Sequence, residues 1–148
     1  GAALLLSADM VGCCEASLKK SVAYSLERKQ FGRPVGGFQA LKHLAAETYV
    51  QYLSAKLAVE YAAWAMDERQ EDALHHVHIA KAYISGVSRK ITKNAIQMQG
   101  GIGFTWENDV HFYLKRCHRG SAMLGNAYYH QEQIAKEIFD RRVLRVEA

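Results

Sequence analysis

The sequence predicts an all-α fold, an antiparallel up-and-down helical bundle of the four-helix type with one additional short helix. Three long segments carry apolar residues at intervals of three and four, the repeat of one helical face. The 148 residues include one proline and eleven glycines, too few for the many turns of an all-β chain. No segment shows a strand pattern.

The first predicted helix runs from Leu4 to about Arg28 and ends near Phe31 and Gly32, where Gly32 and Pro34 stop it. Its apolar residues follow steps of seven, three and four, which stack on one face of a helix. The residues of that face are Leu4, Val11, Cys14, Leu18, Val22 and Leu26.

The second and third predicted helices have the clearest periodicity. The buried face of the second helix consists of Leu41, Leu44, Thr48, Tyr52, Ala55, Val59, Ala62 and Met66. A polar break at residues 67–72 precedes the third, whose face consists of Val77, Ala80, Ile84, Val87, Ile91, Asn94 and Met98. This helix is expected to stop at the glycines of residues 100–103, because glycine permits positive φ.

A shorter helix is predicted from Asn108 or Asp109 to about His118, and a last one from about Ser121 to Arg142. The candidates for the buried side of the last helix are Leu124, Tyr128, Ile134 and Ile138. The second and third helices are each about 40 Å long, and their apolar content exceeds what one face must bury. We therefore expect oligomerisation through helix faces, with a single-chain bundle that has an apolar surface as the alternative.

The composition argues against several classes of protein. No apolar run approaches the roughly 18 residues that a membrane-spanning helix needs, and the first residues lack the basic start of a signal peptide. The net charge of +4 is mild, and acidic residues interrupt the basic cluster of the last third, so a solvated face is favoured over nucleic-acid binding. That basic cluster consists of Lys115, Arg116, Arg119, Arg141, Arg142 and Arg145.

The cysteines and histidines indicate no metal centre. Three cysteines fit neither a disulfide framework nor a zinc site, so we expect buried thiols in a reducing compartment. The cytoplasm is then the expected location, and the mitochondrial matrix is the alternative. His75, His76 and His78 are interpreted as an exposed helix start, because no partner stands at ligand spacing. His43, His111, His118 and His130 are scattered singly.

Two segments could bind an anion. Arg28 stands at a helix end beside a glycine, where its planar guanidinium could bind a phosphate or carboxylate, or could merely cap the helix. Residues 97–104, with the sequence QMQGGIGF, end a helix in glycines whose N–H groups can approach an anionic ligand. A glycine C-cap explains Gly100 or Gly101 equally well.

Together these segments resemble the C-terminal helical domain of acyl-CoA dehydrogenases. The resemblance rests on YSLERKQFGRP at residues 24–34, on Phe38 and Gln39, and on QMQGGIGFTWE at residues 97–107. R-x-x-F-G followed by Q-x-x-G-G-x-G-F is specific to that superfamily as a pair, and the likeness covers essentially the whole chain.

The resemblance implies an FAD flavoprotein that converts an acyl-CoA thioester to the 2,3-enoyl-CoA and passes electrons to an electron-transfer acceptor. Such domains pack into tetramers and lend residues to the FAD of a neighbouring subunit. By resemblance, Arg28 would meet the FAD pyrophosphate, and Phe31 with Gln30 would flank the adenine end. Gln97, Gly100 and Gly101 would contact the same dinucleotide.

Two departures from the family qualify this expectation. Residues 1–148 match only the C-terminal bundle, without the N-terminal helical and central β domains, so we expect a fragment that is inactive by itself. The register of the family places its catalytic glutamate at Gly125, and the alternative base position matches about Ala2 and Ala3. None of these can accept a proton. The base is therefore outside the fragment, or the chain is a non-catalytic subunit or assembly domain of a heteromeric dehydrogenase.

Overall fold

A computed structural model describes the backbone of residues 1–146 and the side chains of residues 1–140. Within that range the chain forms five α-helices and one two-residue hairpin, so the predicted all-α helical bundle is confirmed. The helices are α1 (Ala2–Glu27), α2 (Gln39–Asp67), α3 (Ala73–Gln99), α4 (Val110–Ala122) and α5 (Ala127–Val146). The hairpin strands are β1 (Lys29–Gln30) and β2 (Arg33–Pro34), and short 3-10 turns span Val35–Gly37 and Gly100–Phe104.

Helix α3 is the centre of the bundle and packs against all four other helices. Its predicted face is confirmed: Val77, Ala80, Ile84, Ile91 and Met98 belong to the main core. The predicted face of α2 is confirmed as well, with Thr48, Tyr52, Ala55, Val59 and Ala62 buried. Small residues at several of these positions let the helix axes approach closely.

The end of α1 differs from the prediction. The helix stops at Glu27, and the chain then forms the hairpin, with Lys29 opposite Pro34 and Gln30 opposite Arg33. Phe31 and Gly32 both have positive φ, +52° and +77°, which closes a two-residue turn that matches the twist of the two strands. This strand pair is too short to show an alternating pattern in the sequence, and the all-α class is unaffected by it.

The last two residues of the predicted α1 face are not buried. Val22 is 37% exposed and Leu26 is 65% exposed. Both border a cavity of about 550 Å³ between α1 and α2. The facing residues of α2 include Ala45 and Ala46, whose short side chains do not fill the space.

The boundary between α4 and α5 is also corrected. Ser121 belongs to α4, and a turn with positive φ at Leu124 and Gly125 separates the two helices. Three of the four residues predicted on the buried side, Leu124, Tyr128 and Ile138, are exposed, whereas His130 is only 2% exposed. Polar contacts rather than an apolar stripe hold α5, since His75 Nδ1 lies 2.5 Å from Glu137 Oε2.

The histidines at the start of α3 are partly buried and paired, not exposed as predicted. His76 Nε2 lies 3.2 Å from Asp72 Oδ2, and His78 contacts His130 of α5. Asp72 precedes His76 by one helical turn, whereas the partners of His75 and His78 come from α5 and cannot be read from spacing along the sequence. Among residues 1–140, no three His, Cys, Asp or Glu side chains are grouped to hold a metal ion.

The cysteines behave as predicted. Cys13, Cys14 and Cys117 are free and buried at the contact of α1 with α4. Burial raises the pKa of Cys13 to about 11, so its thiol stays protonated at neutral pH. Of the predicted basic cluster, Arg141, Arg142 and Arg145 lie outside the residues whose side chains are described. No described helix combines the length and apolarity needed to span a bilayer.

Candidate functional site

The end of α1, the hairpin and the end of α3 together enclose a cavity of about 460 Å³. Five of the six residues predicted to bind a cofactor line it: Arg28, Gln30, Gln97, Gly100 and Gly101. The fold thus brings together two segments that are about seventy residues apart in the sequence. The other lining residues are Tyr24, Val35, Leu41, Met98, Gln99 and Ile102.

The backbone holds Arg28 firmly at the mouth of this cavity. Its N–H donates to the carbonyl of Tyr24 at 2.9 Å, and its own carbonyl accepts from Val35 N–H at 2.7 Å. Arg28 has extended dihedral angles and stands just after the last helical residue. Within the described residues its guanidinium has no carboxylate partner, which leaves the charge available to a ligand.

The glycine segment, residues 100–103, both ends α3 and borders the cavity. Gly100 ends α3 with φ +65° and ψ −141°, backbone angles that residues with a side chain rarely adopt. The interpretation of this glycine as the C-cap of the helix therefore holds. A Cβ on Gly101 would meet no atom within 4 Å, so its backbone borders open space. Gly103 is buried, and a Cβ there would lie 2.8 Å from the Ile96 carbonyl oxygen. Gly103 is therefore required for packing, whereas Gly101 leaves the cavity open.

Phe31 does not line the cavity. It lies at the tip of the hairpin, is 92% exposed, and meets Phe38 edge-to-face with ring centroids 6.2 Å apart. The Arg33 guanidinium covers the Phe38 ring at 4.1 Å from its centroid. The contact of Phe31 with an adenine ring stays a prediction.

The donors around the cavity fit an anionic dinucleotide. Arg28 is the only charged residue among the lining residues. The amides of Gln30 and Gln97 and the Tyr24 hydroxyl add neutral hydrogen-bonding groups. The planar guanidinium, together with backbone N–H groups that no side chain covers, provides hydrogen-bond donors suited to phosphate oxygens. The residues present therefore fit the pyrophosphate of FAD.

A second cavity of about 500 Å³ shares Tyr24, Gln99 and Ile102 with the first. It has the opposite character, since Glu27, Glu107 and Asp109 line it together with Lys20. Lys20 forms an ion pair with Asp109, and that hydrogen bond raises the pKa of Lys20. Because carboxylates repel a phosphate, the Arg28 cavity is better suited to bind one than this second cavity.

Sequence reasoning missed the two other polar residues that line the cavity, Tyr24 and Gln99. Tyr24 lies in the last turn of α1, and its carbonyl accepts the N–H of Arg28. Gln99 is only 5% exposed, although it follows the exposed Gln97 by two residues. A buried amide at the end of a helix has no signature in the sequence, because only its partners make burial favourable.

Gly125, where the family resemblance predicts the base, lies in the turn between α4 and α5 with φ +95°. A Cβ there would lie 2.5 Å from Tyr129 Cδ1 and 2.8 Å from His130 Nε2. A side chain at this position would fit only if the rings of Tyr129 and His130 moved. Neither shifting the register to Leu124 nor shifting it to Asn126 supplies a carboxylate.

Comparisons with known proteins agree with this geometry. Residues 2–139 match the family model described as acyl-CoA dehydrogenase, C-terminal domain. The acyl-CoA dehydrogenase IpdE2 of Mycolicibacterium smegmatis is 39% identical over 138 residues, which are 93% of this chain and 42% of that protein. The chain therefore spans less than half of this relative.

Two solved structures have the same fold. Butyryl-CoA dehydrogenase from Megasphaera elsdenii superposes with a TM-score of 0.88 at 26% identity, covering 93% of this chain and 36% of that one. A chain of the ChsE4-ChsE5 complex from Mycobacterium tuberculosis superposes with a TM-score of 0.85 at 26% identity, covering 92% of this chain and 37% of that one.

Proposed function

This chain belongs to the acyl-CoA dehydrogenase family as its C-terminal domain, and from that premise we propose that it completes the FAD site of an acyl-CoA dehydrogenase. The observation that carries the proposal is that Arg28, Gly100 and Gly101 line one cavity. The curated relatives are longer proteins, so we further propose that these residues work as part of a larger polypeptide with the rest of the flavin and CoA sites. By itself, the domain is expected to be inactive.

Each lining residue has a definite role in this proposal. The Arg28 guanidinium donates to phosphate oxygens of the dinucleotide, and it does so from a backbone that two hydrogen bonds hold in place. Gly101 allows the ligand to approach the backbone, because no side chain intervenes. The amides of Gln30 and Gln97 orient the ligand, and Phe31 flanks the adenine end from the hairpin tip.

When bound, FAD would supply the acceptor for the hydride that leaves the β-carbon of an acyl-CoA thioester. The α-proton needs a base, and the described part of the chain offers no carboxylate in the Arg28 cavity or at Gly125. We therefore assign the base to a part of the protein outside these residues. The contribution of this domain is to bind and orient.

Assembly through helix faces belongs to the same proposal. Helix α2 exposes large apolar side chains along most of its length, far more than a solvated helix needs. These residues are Tyr49, Val50, Leu53, Leu57, Tyr61 and Trp64. Homo-oligomers or hetero-oligomers would cover this face, and reoxidation would require an electron-transfer partner.

A second function is favoured by one observation, the glycine at the family's base position. A glutamate at Gly125 would need a strained φ of +95° and would overlap the rings of Tyr129 and His130, which suits a non-catalytic subunit of a heteromeric dehydrogenase. The solved ChsE4-ChsE5 complex is a two-protein assembly that contains this fold. In such a protein, the chain would complete an FAD site while a partner supplies the base.

The experiment that separates these functions uses the full-length protein that contains this domain. Its visible flavin spectrum is recorded anaerobically, and a panel of acyl-CoAs is then added. Bleaching of the oxidised flavin band supports a dehydrogenase whose base lies elsewhere in the polypeptide. Flavin that binds but never bleaches supports the non-catalytic subunit. Absence of flavin binding contradicts both functions.

The site itself is tested with a pair of neighbouring variants. Arg28→Met removes the proposed phosphate donor, and Lys29→Met removes a positive charge from the adjacent exposed residue, which does not line the cavity. We expect Arg28→Met to weaken FAD binding about 10- to 100-fold, as for a lost charged hydrogen bond, and Lys29→Met to have little effect. Equal effects of both variants would contradict the assignment of Arg28.

A further inference from the structure

Gln99 makes hydrogen bonds to two other parts of the chain from a nearly inaccessible position. It is the last residue of α3 and directly precedes Gly100. Its Nε2 donates to Ser21 Oγ of α1 at 2.9 Å, and its Oε1 accepts from Asn108 Nδ2. Ser21 is fully buried and Gln99 is 5% exposed, so the amide is sequestered from water.

Asn108 extends this connection to α4. Its Oδ1 accepts a hydrogen bond from the backbone N–H of Val110, the first residue of that helix, at 3.0 Å. One chain of side-chain contacts therefore links the C-terminal part of α1, the end of α3 and the start of α4. Because a buried amide is stable only when its partners are in place, this chain of contacts specifies one arrangement of the three elements.

The glycine segment needs such an external constraint. Gly100 and Gly101 lie in a 3-10 turn, and a Cβ on either would meet no atom within 4 Å, so no side-chain packing at these two residues holds the turn in place. The position of the segment must then be set by its flanks. Gln99 is one flank, and Gly103, packed against the Ile96 carbonyl, is the other.

Gln97 provides a useful contrast within the same helical turn. It is exposed and lines the cavity, and within the described residues its side chain forms no hydrogen bond. Gln99 has its amide committed to the protein on both sides. One glutamine is thus available to a ligand, and the other is engaged in holding the backbone.

We propose that Gln99 and Asn108 are positioning residues, which hold the backbone of Gly100 and Gly101 in the orientation that binds the FAD pyrophosphate. This inference rests on the proposed function, since it concerns the same cavity. The amide groups of both side chains are hydrogen-bonded within the protein, so they act through the backbone. Supporting groups of this kind determine whether a binding site keeps its geometry before the ligand arrives.

The test uses full-length protein freed of FAD, with FAD affinity measured by flavin fluorescence and apoprotein stability by thermal unfolding. The variants are Gln99→Met, Asn108→Leu and the double variant. Asn94→Leu is the matched control, because Asn94 is also an α3 amide that donates to another helix, at 2.9 Å to Thr48 Oγ1, and it does not line the cavity.

We expect Gln99→Met and Asn108→Leu each to weaken FAD binding about tenfold, as for one lost buried hydrogen bond, and the double variant to be no worse than either. Asn94→Leu should lower the unfolding temperature by a similar amount while FAD affinity stays unchanged. If affinity follows the unfolding temperature in all variants alike, Gln99 has only a structural role and the inference is overturned.

The Arg28 variant distinguishes failure of this inference from failure of the proposed function. If Arg28→Met weakens FAD binding and Gln99→Met does not, the cavity binds FAD without help from Gln99 and only the inference fails. If neither variant changes the affinity, the cavity is not the FAD site and both are wrong.

Discussion

His78 Nδ1 and His130 Nδ1 lie 2.8 Å apart, and they join α3 to α5. His130 Nε2 also lies 3.0 Å from the Leu124 carbonyl oxygen. A carbonyl can only accept, so His130 Nε2 carries a proton, and a neutral His130 presents Nδ1 as the acceptor for His78. The pair thus fixes the tautomers of both rings and attaches the turn that contains Gly125 to the start of α5.

This pair predicts acid sensitivity. Burial, His78 and Lys81 together keep the pKa of His130 below its ordinary value. A histidine whose pKa is lower in the folded state binds fewer protons there than when unfolded, so its stabilising effect is complete above about pH 6.5 and is lost as the pH falls. Urea unfolding from pH 7.5 to 5 should show this decrease.

The control for the acid effect is an exposed histidine on α4. His118→Asn should leave the pH dependence intact, whereas His130→Asn should lower stability at pH 7.5 and flatten the dependence. A His130→Asn protein with the full wild-type pH slope would rule out this histidine as the cause.

Gly125→Glu is expected to destabilise the fold and not to restore a catalytic base. The residue has φ +95°, and any Cβ would lie 2.5 Å from Tyr129 Cδ1. Strain and overlap together should cost about 2–4 kcal/mol, and Gly125→Ala should cost nearly as much. Thermal unfolding measures both variants, and a stable Gly125→Glu protein that bleaches its flavin faster would overturn this expectation.

Gly101→Ala is the contrasting glycine variant. Its Cβ would meet no atom within 4 Å, and its φ does not require glycine, so stability should stay the same or rise by about 0.5 kcal/mol. The new methyl group would lie beside the Arg28 cavity and should weaken FAD binding. A fall in stability comparable to that of Gly125→Ala would show that Gly101 is needed for folding instead.

Lys81 is fully buried in α3, and its Nζ donates to the Gly120 carbonyl at 2.8 Å and to Ser85 Oγ at 3.0 Å. Burial lowers its pKa, and within the described residues it has no carboxylate partner. Lys81→Met should therefore change stability by no more than about 1 kcal/mol at pH 7, since it removes a desolvated amine and keeps the volume but leaves the Gly120 carbonyl without this donor. Urea unfolding gives the comparison.

Lys81→Ala is the matched variant for packing. It also removes the charge but leaves an unfilled space between α3 and α4, so it should cost about 2–4 kcal/mol. If Lys81→Met is as destabilising as Lys81→Ala, the two hydrogen bonds outweigh the cost of burying the charge.

Phe31→Asn should separate folding from binding at the hairpin tip. Phe31 has φ +52° and is 92% exposed, and asparagine before glycine is the preferred pair for such a turn. Stability should rise by about 0.5 kcal/mol while FAD affinity falls, because the proposed adenine contact is lost. Calorimetry and flavin fluorescence test the two effects, and unchanged affinity would remove Phe31 from the site.

Much of the site was already evident from local patterns. The end of α3 follows from Gly100, because glycine tolerates the positive φ that ends the helix. Their chemistry and their place at helix ends made Arg28 and the pair Gly100 and Gly101 candidates for anion binding, with helix capping as the alternative. Their convergence on one cavity was implied only by the family resemblance, since no local pattern joins positions so far apart.

The sequence by itself determined the helical class, the buried faces of α2 and α3, and the residue types available at the site, because a helix repeats its environment every three or four residues. Only the tertiary structure decided that α5 docks through His130 and that Gln99 is buried between Ser21 and Asn108. These positions depend on partners in distant segments, and the energy of burying a polar group is set by those partners rather than by its neighbours along the chain.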